Sequence, residues 1–114
     1  MTLKKNKSLT LDEITNTLKE KMPELKGKYK IKSLGLFGSF LKGADTKNSD
    51  LDVLVEFEEI PTLLMLARLQ NHLSDIVGIK VDLVLKKTLK PHIGKHILHE
   101  VVYIWKGNEN ILIS

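Results

Sequence analysis

Two short β-forming runs joined by one helix constrain this chain most. Residues 51–57 read LDVLVEF, and residues 79–85 read IKVDLVL. Both are dense in β-branched residues and leucine, which fit a pleated, half-buried surface. Between them Pro61 opens a helical stretch. Its Leu63, Leu66, Leu69 or Gln70, Leu73 and Ile76 or Val77 keep a spacing of 3–4, and Gly78 stops it. A strand, a helix and a second strand in that order are a crossover. A crossover of this length makes the two strands parallel neighbours.

The flanking segments extend the same pattern. Thr10 and Glu13 form a capping box ahead of a helix carrying Leu11, Ile14, Leu18 and Met22 on one face. Pro23 is expected to end that helix or to start a short second one reaching Lys28. Residues 31–37 read as a strand punctuated by Gly38. Residues 40–43 read as one helical turn and 44–49 as a polar loop. Residues 92–105 read as a last helix with Ile93, Ile97, Val101 and Ile104 on its stripe. The expected order is α-β-(short α)-β-α-β-α. The expected class is α/β (α+β), a small mixed sheet with helices on one face. With 114 residues and neither internal repeat nor linker, residues 1–114 are expected to form a single domain.

Composition narrows the function. The chain has no cysteine, which excludes disulfides, thiolate metal sites and a cysteine nucleophile. The longest charge-free stretches, Ser33 to Leu41 and Ile60 to Ala67, are too short to span a bilayer. Lys4, Lys5 and Lys7 are not followed by an apolar core, so no signal peptide is expected. A cytoplasmic protein without membrane contact is the resulting expectation. The net charge of +4 is unevenly spread. Residues 1–48 carry 11 lysines against 5 acids, residues 49–75 carry Arg68 against 6 acids, and residues 76–114 carry 6 lysines against 3 acids. An acidic middle between basic flanks can hold a cation beside an anion.

Strand alternation says where the carboxylates point. If Leu51, Val53, Val55 and Phe57 face the core, then Asp50, Asp52, Leu54 and Glu56 face away. In the following strand Val81, Leu83 and Leu85 share one face, and Asp82 and Val84 share the other. Pairing the strands therefore collects Asp50, Asp52 and Asp82 on one non-core face. Aspartate is a poor strand former, and clustered carboxylates repel one another unless a cation joins them. Asp50 and Asp52 stand about 6.6 Å apart along the strand, from which two carboxylates can lean toward one point. Two Mg²⁺ ions about 3.5–4 Å apart fit such a donor set.

Gly38 and Ser39 close the previous strand, and Asp50 opens the next. Antiparallel pairing would bring both to one sheet edge. Gly38 lets a backbone approach a ligand closely, and Ser39 adds a hydroxyl and an amide suited to phosphate. Lys42 and Lys47 in the intervening loop supply positive charge. Phosphate, metal and carboxylates at one edge describe a nucleotide–Mg²⁺ site.

Gly38-Ser39, ten residues, then Asp50-Leu51-Asp52 resembles the signature of the polymerase-β-like nucleotidyltransferases. The longer string LGLFGSFLKGADTKNSDLDVLVEF, followed after a helix by IKVDLVL, resembles the MNT-type minimal members of that superfamily, the antitoxins of HEPN/MNT pairs. Family members often carry Arg where this chain has Lys42, which keeps the charge without bidentate geometry. The resemblance implies the polymerase-β-like nucleotidyltransferase fold. It implies transfer of AMP from ATP to a protein hydroxyl, a tyrosine of a HEPN ribonuclease toxin, as the antitoxin of a type VII-like pair. By the same resemblance Asp50 and Asp52 bind both Mg²⁺ ions, Asp82 binds one and takes the acceptor proton, and Gly38 and Ser39 hold the β- and γ-phosphates. Two alternatives differ in kind. One is a module that neutralises its partner by occlusion alone. The other is a nucleotidyltransferase acting on a small molecule, which 114 residues leave little room to hold.

Other constellations are set aside. No Gly-x-x-x-x-Gly-Lys-Ser/Thr is present, and Gly35, Gly38 and Gly43 match no dinucleotide fingerprint. His92, His96 and His99 fall near one helical stripe, but no acidic general base accompanies them at zinc-enzyme spacing. Ser39 has no histidine in relay. The basic N-terminal segment carries Tyr29 as its one aromatic and reads as a solvated face rather than a nucleic-acid contact. Residues 63–66 (LLML) are more apolar than one buried face requires, a surplus suited to a protein interface.

Overall fold

The structure is a computed structural model and describes residues 10–38, 41 and 50–107. Helix α1 runs Leu11–Tyr29. The Glu13 amide donates to Thr10 Oγ1 at 3.1 Å, and the Thr10 amide donates to Glu13 Oε1 at 2.8 Å, closing the capping box. Lys30 ends the helix in the left-handed conformation at φ 55°, its amide bonded to the Lys26 carbonyl.

Pro23 does not break α1, contrary to the expectation of an end or a restart there. An interior proline costs about 3 kcal/mol. Ile14, Leu18, Met22, Leu25 and Tyr29 continue one buried stripe on both sides of it. At about 1.5–3 kcal/mol for each buried apolar side chain, the stripe beyond Pro23 outweighs that cost. The last turns of α1 also lie against the final strand, where Lys26 Nζ sits 4.2 Å from the Trp105 ring centroid.

The strands are β1 (Ile31–Phe37), β2 (Leu51–Phe57), β3 (Val81–Leu85) and β4 (Val102–Lys106), in the sheet order β3-β2-β1-β4. β1 pairs antiparallel with β2 and with β4, and β2 pairs parallel with β3, so the sheet is mixed. Helix α2 (Leu63–Val77) is the crossover between β2 and β3. Thr62 Oγ1 caps its start, accepting from the Met65 amide at 3.1 Å, and Gly78 ends it at φ 78°. α1 and α2 cover the sheet face that carries Leu34, Leu36, Leu51, Val53, Val55 and Val81, which together form the core. Among the described residues no helix is long and apolar enough to cross a membrane.

The C-terminal part differs from its expected form. Helix α3 covers only Pro91–Glu100, after a short 3₁₀ turn at Lys86–Thr88. Val102–Lys106 is a strand, not the end of that helix. The apparent stripe of Ile97, Val101 and Ile104 arises because a short apolar run fits either period. β1 would otherwise be an unpaired edge, and pairing Leu34 with Trp105 and Leu36 with Val102 satisfies its backbone. The side chain of Ile93, the 40–43 turn apart from Leu41, and the 44–49 loop lie outside the described residues.

β3, at one sheet edge, is tied to α2 by side chains. The Val81 amide donates to Ser74 Oγ at 3.0 Å, and the Leu83 amide donates to Gln70 Oε1 at 3.2 Å. These two bonds bracket Asp82 and hold its strand in place. The apolar surplus at the start of α2 divides. Met65 packs on the core, whereas Leu63 and Leu64 are exposed.

Candidate active site

The sheet register assembles the site. In the antiparallel pair Phe37 lies opposite Asp52, so Gly38 leaves β1 where β2 begins. In the parallel pair Asp52 lies opposite Asp82. Register partners share a face, so the two carboxylates stand side by side on the face away from α1 and α2, about one strand spacing of ~4.8 Å apart. Their neighbours in sequence face the core: Leu51, Val53 and Val81 are buried. Asp50 lies one position before β2, beside the start of β3. The Leu51 amide donates to the Lys80 carbonyl at 2.9 Å, and Lys80 Nζ is 4.0 Å from Asp50 Oδ2.

Gly38 is required here for two reasons. Its φ of 91° lies in the left-handed region, and a Cβ built on it would overlap the Asp52 carboxylate. Gly38→Ala is therefore expected to lower the melting temperature and to displace Asp52. A left-handed φ alone costs an L-residue about 1–2 kcal/mol. Thermal melts with and without nucleotide check this: the nucleotide-dependent rise should shrink together with the apo melting point.

The Asp52 carboxyl is held above its ordinary value, chiefly by burial and then by the charges of Asp82 and Asp50. Asp82 is exposed and Asp50 half-buried. Carboxylate oxygens on adjacent strands, one of them raised by its like-charged neighbours, suit a hard divalent cation. As the side chains stand, no three His, Asp or Glu groups among the described residues converge on one point. Ligation by all three aspartates therefore needs side-chain rotation within the cluster.

Among the residues expected at the site, the fold thus brings together Gly38, Asp50, Asp52 and Asp82. Ser39, Lys42 and Lys47 lie outside the described residues. Lys80 is a cation at this edge that the sequence reading left out. The signal for it was the same alternation that selected Asp82, carried two residues back along the run. His92, His96 and His99 line an open concavity with Lys95 along α3, and His96 Nε2 lies 3.6 Å from Glu100 Oε2.

Comparison with known proteins bears on this arrangement. The family model of the nucleotidyltransferase domain matches residues 16–104, which include β1, β2, β3 and all three aspartates. The protein adenylyltransferase MntA of Thermococcus cleftensis is 44% identical over 96 residues, covering 84% of this chain and 97% of its own. A solved structure described as a candidate minimal nucleotidyltransferase is 35% identical. It superposes with a TM-score of 0.65, covering 77% of this chain and 93% of its own. A chain from the solved complex of tri-AMPylated Shewanella oneidensis HEPN toxin with MNT antitoxin superposes with a TM-score of 0.61. It covers 87% of this chain and 78% of its own at 18% identity, a likeness of fold. With its family model matched from the first helix through the last strand, the chain belongs to the nucleotidyltransferase-domain family, as an MNT-type minimal nucleotidyltransferase of the polymerase-β-like superfamily.

Proposed function

We propose that this chain is a Mg²⁺-dependent protein adenylyltransferase. It moves AMP from ATP to a tyrosine hydroxyl of a HEPN-family toxin and acts as the antitoxin of a type VII-like pair in the cytoplasm. The observation that carries the reading is the cross-strand pair Asp52 and Asp82 set against Gly38. The 44% identity to an MntA adenylyltransferase over nearly that protein's whole length supports the same chemistry. The AMPylated HEPN toxin in the fold relative's complex supports the partner class.

Asp50, Asp52 and Asp82 would hold two Mg²⁺ ions, which when bound neutralise the triphosphate and the charge developing during displacement. Gly38 leaves room for a triphosphate to lie against the backbone, and Ser39, Lys42 and Lys47 would contact its phosphates. Asp52, half-buried at the centre of the edge, would act on the phosphate chain through the cation it holds, since two anions repel without one. The acceptor oxygen attacks the α-phosphorus in line, and the bond from that phosphorus to the bridging oxygen of the β-phosphate breaks. Pyrophosphate leaves, and the acceptor proton passes to Asp82, which stands exposed on the outermost strand. The protein forms no covalent intermediate. Its contribution is positioning and charge.

Incubating the purified HEPN partner with this chain and Mg·ATP, then measuring the partner's intact mass, tests the reading. The expected result is a gain of one or more AMP units, mapped to tyrosine and absent without Mg²⁺. A partner that is neutralised with no gain in mass would establish occlusion instead. AMP found on a small molecule but not on the partner would move the acceptor class.

A further inference from the structure

Lys80 is unassigned by the mechanism above, yet the sheet register places it within the site. Extending the parallel pairing of Leu51 with Val81 by one residue sets Lys80 beside Asp50, as Asp52 is set beside Asp82. The Leu51 amide bonded to the Lys80 carbonyl fixes that step of the ladder. Residues two apart on a strand share a face, so Lys80 and Asp82 rise on the same side as Asp50 and Asp52. The result is a four-cornered patch of three carboxylates and one ammonium. Among the described residues, Lys80 is the lysine within ion-pair distance of any of the three aspartates.

The pair is built to be exchanged. Its separation is 4.0 Å, and the side chains are 77% exposed for Lys80 and 44% for Asp50. An exposed pair of that kind is weak and screened by salt. Lysine is a point charge on a flexible stem, able to swing by several ångströms without moving its backbone. A cation that takes the Asp50 oxygens displaces the ammonium. The nearest new anion is then the phosphate chain that arrives with the cation.

We propose that Lys80 is a phosphate-binding residue of this site that occupies Asp50 as a counter-ion until the metal arrives. The proposal rests on the adenylyltransferase reading. It makes two opposed demands on one side chain: Lys80 competes with metal in the absence of nucleotide, and it favours nucleotide once the metal is in place. A lysine that only shields surface charge would meet the first demand and not the second.

The test uses the full chain with Lys80→Ala and Lys80→Arg. Because Lys80 is exposed, melting temperatures without ligand should match the wild type. Nucleotide-free Mn²⁺ binding, read by electron paramagnetic resonance, should tighten about 1.5- to fivefold in Lys80→Ala as the competitor is removed. ATP binding in Mg²⁺ buffer, read by calorimetry, should weaken about tenfold in the same variant as one charge-assisted phosphate contact is lost. Lys80→Arg should restore both values toward the wild type. Unchanged ATP affinity in Lys80→Ala, or weaker Mn²⁺ binding, would overturn the proposal while leaving the adenylyltransferase reading intact. A wild-type chain that binds no ATP would overturn that reading, and the role of Lys80 with it.

Discussion

Asp52→Asn should lower AMP transfer by about 10²–10³-fold, the scale on which removal of one preorganised charge-stabilising group acts, while making the ligand-free protein more stable at neutral pH. The two effects share a cause. Asp52 is held above its ordinary carboxyl value by burial first, then by Asp82 and Asp50. A carboxyl raised in the folded state is ionised there at a cost. That cost is present in full above its folded value. It is relieved as the pH falls through that value and is gone below the unfolded one, near 3.9. Asparagine carries no such charge, so the variant should melt higher than wild type at pH 7, and the difference should vanish by about pH 4. Nucleotide reverses the order. Mg·ATP at 100 times its Kd adds about 2.7 kcal/mol to the wild type by mass action, a shift on the order of 10 °C for a chain of this size. Asp52→Asn should lose nearly all of that shift. Melting curves across pH, with and without Mg·ATP, check both halves. An unchanged ligand shift in the variant would place the nucleotide elsewhere.

Asp82→Asn should separate binding from transfer. Asp52 is half-buried between Gly38 and β3, whereas Asp82 is exposed on the outermost strand. On the proposed reading the phosphate chain lies along the strand ends at Gly38 and Lys80, which leaves Asp82, further along β3, to the acceptor. A phenol has a pKa of about 10, so its proton must be taken as the new bond forms. A positioned carboxylate contributes typically about 10²–10⁴-fold to such a step. Asp82→Asn is therefore expected to lower transfer by that range while changing ATP affinity by no more than about threefold. Calorimetry for ATP and intact mass for the partner give the two readouts. Equal loss of both would return Asp82 to nucleotide binding alone.

What the amino-acid order determined by itself was local and periodic. Alternation in LDVLVEF and IKVDLVL fixed which side chains share a face. Because the period of a strand is 2, Asp50 and Asp52 share a face, and Asp82 joins them there if the two strands pair. The cap at Thr10 and the stop at Gly78 were equally local, since each satisfies helix-end groups with atoms a few residues away.

Tertiary structure decided what depends on distant partners. Pro23 stays inside α1 because the core on both sides of it outweighs a local penalty. Val102–Lys106 is a strand because β1 has a second edge to pair, and the short apolar run over residues 101–105 does not state its own period. The pairing of Lys80 with Asp50 required the register between β2 and β3, and β3 is held in place by Ser74 and Gln70 of the crossover helix. The raised carboxyl of Asp52 owes its burial and the charge of Asp82 to the tertiary fold, while the charge of Asp50 is local.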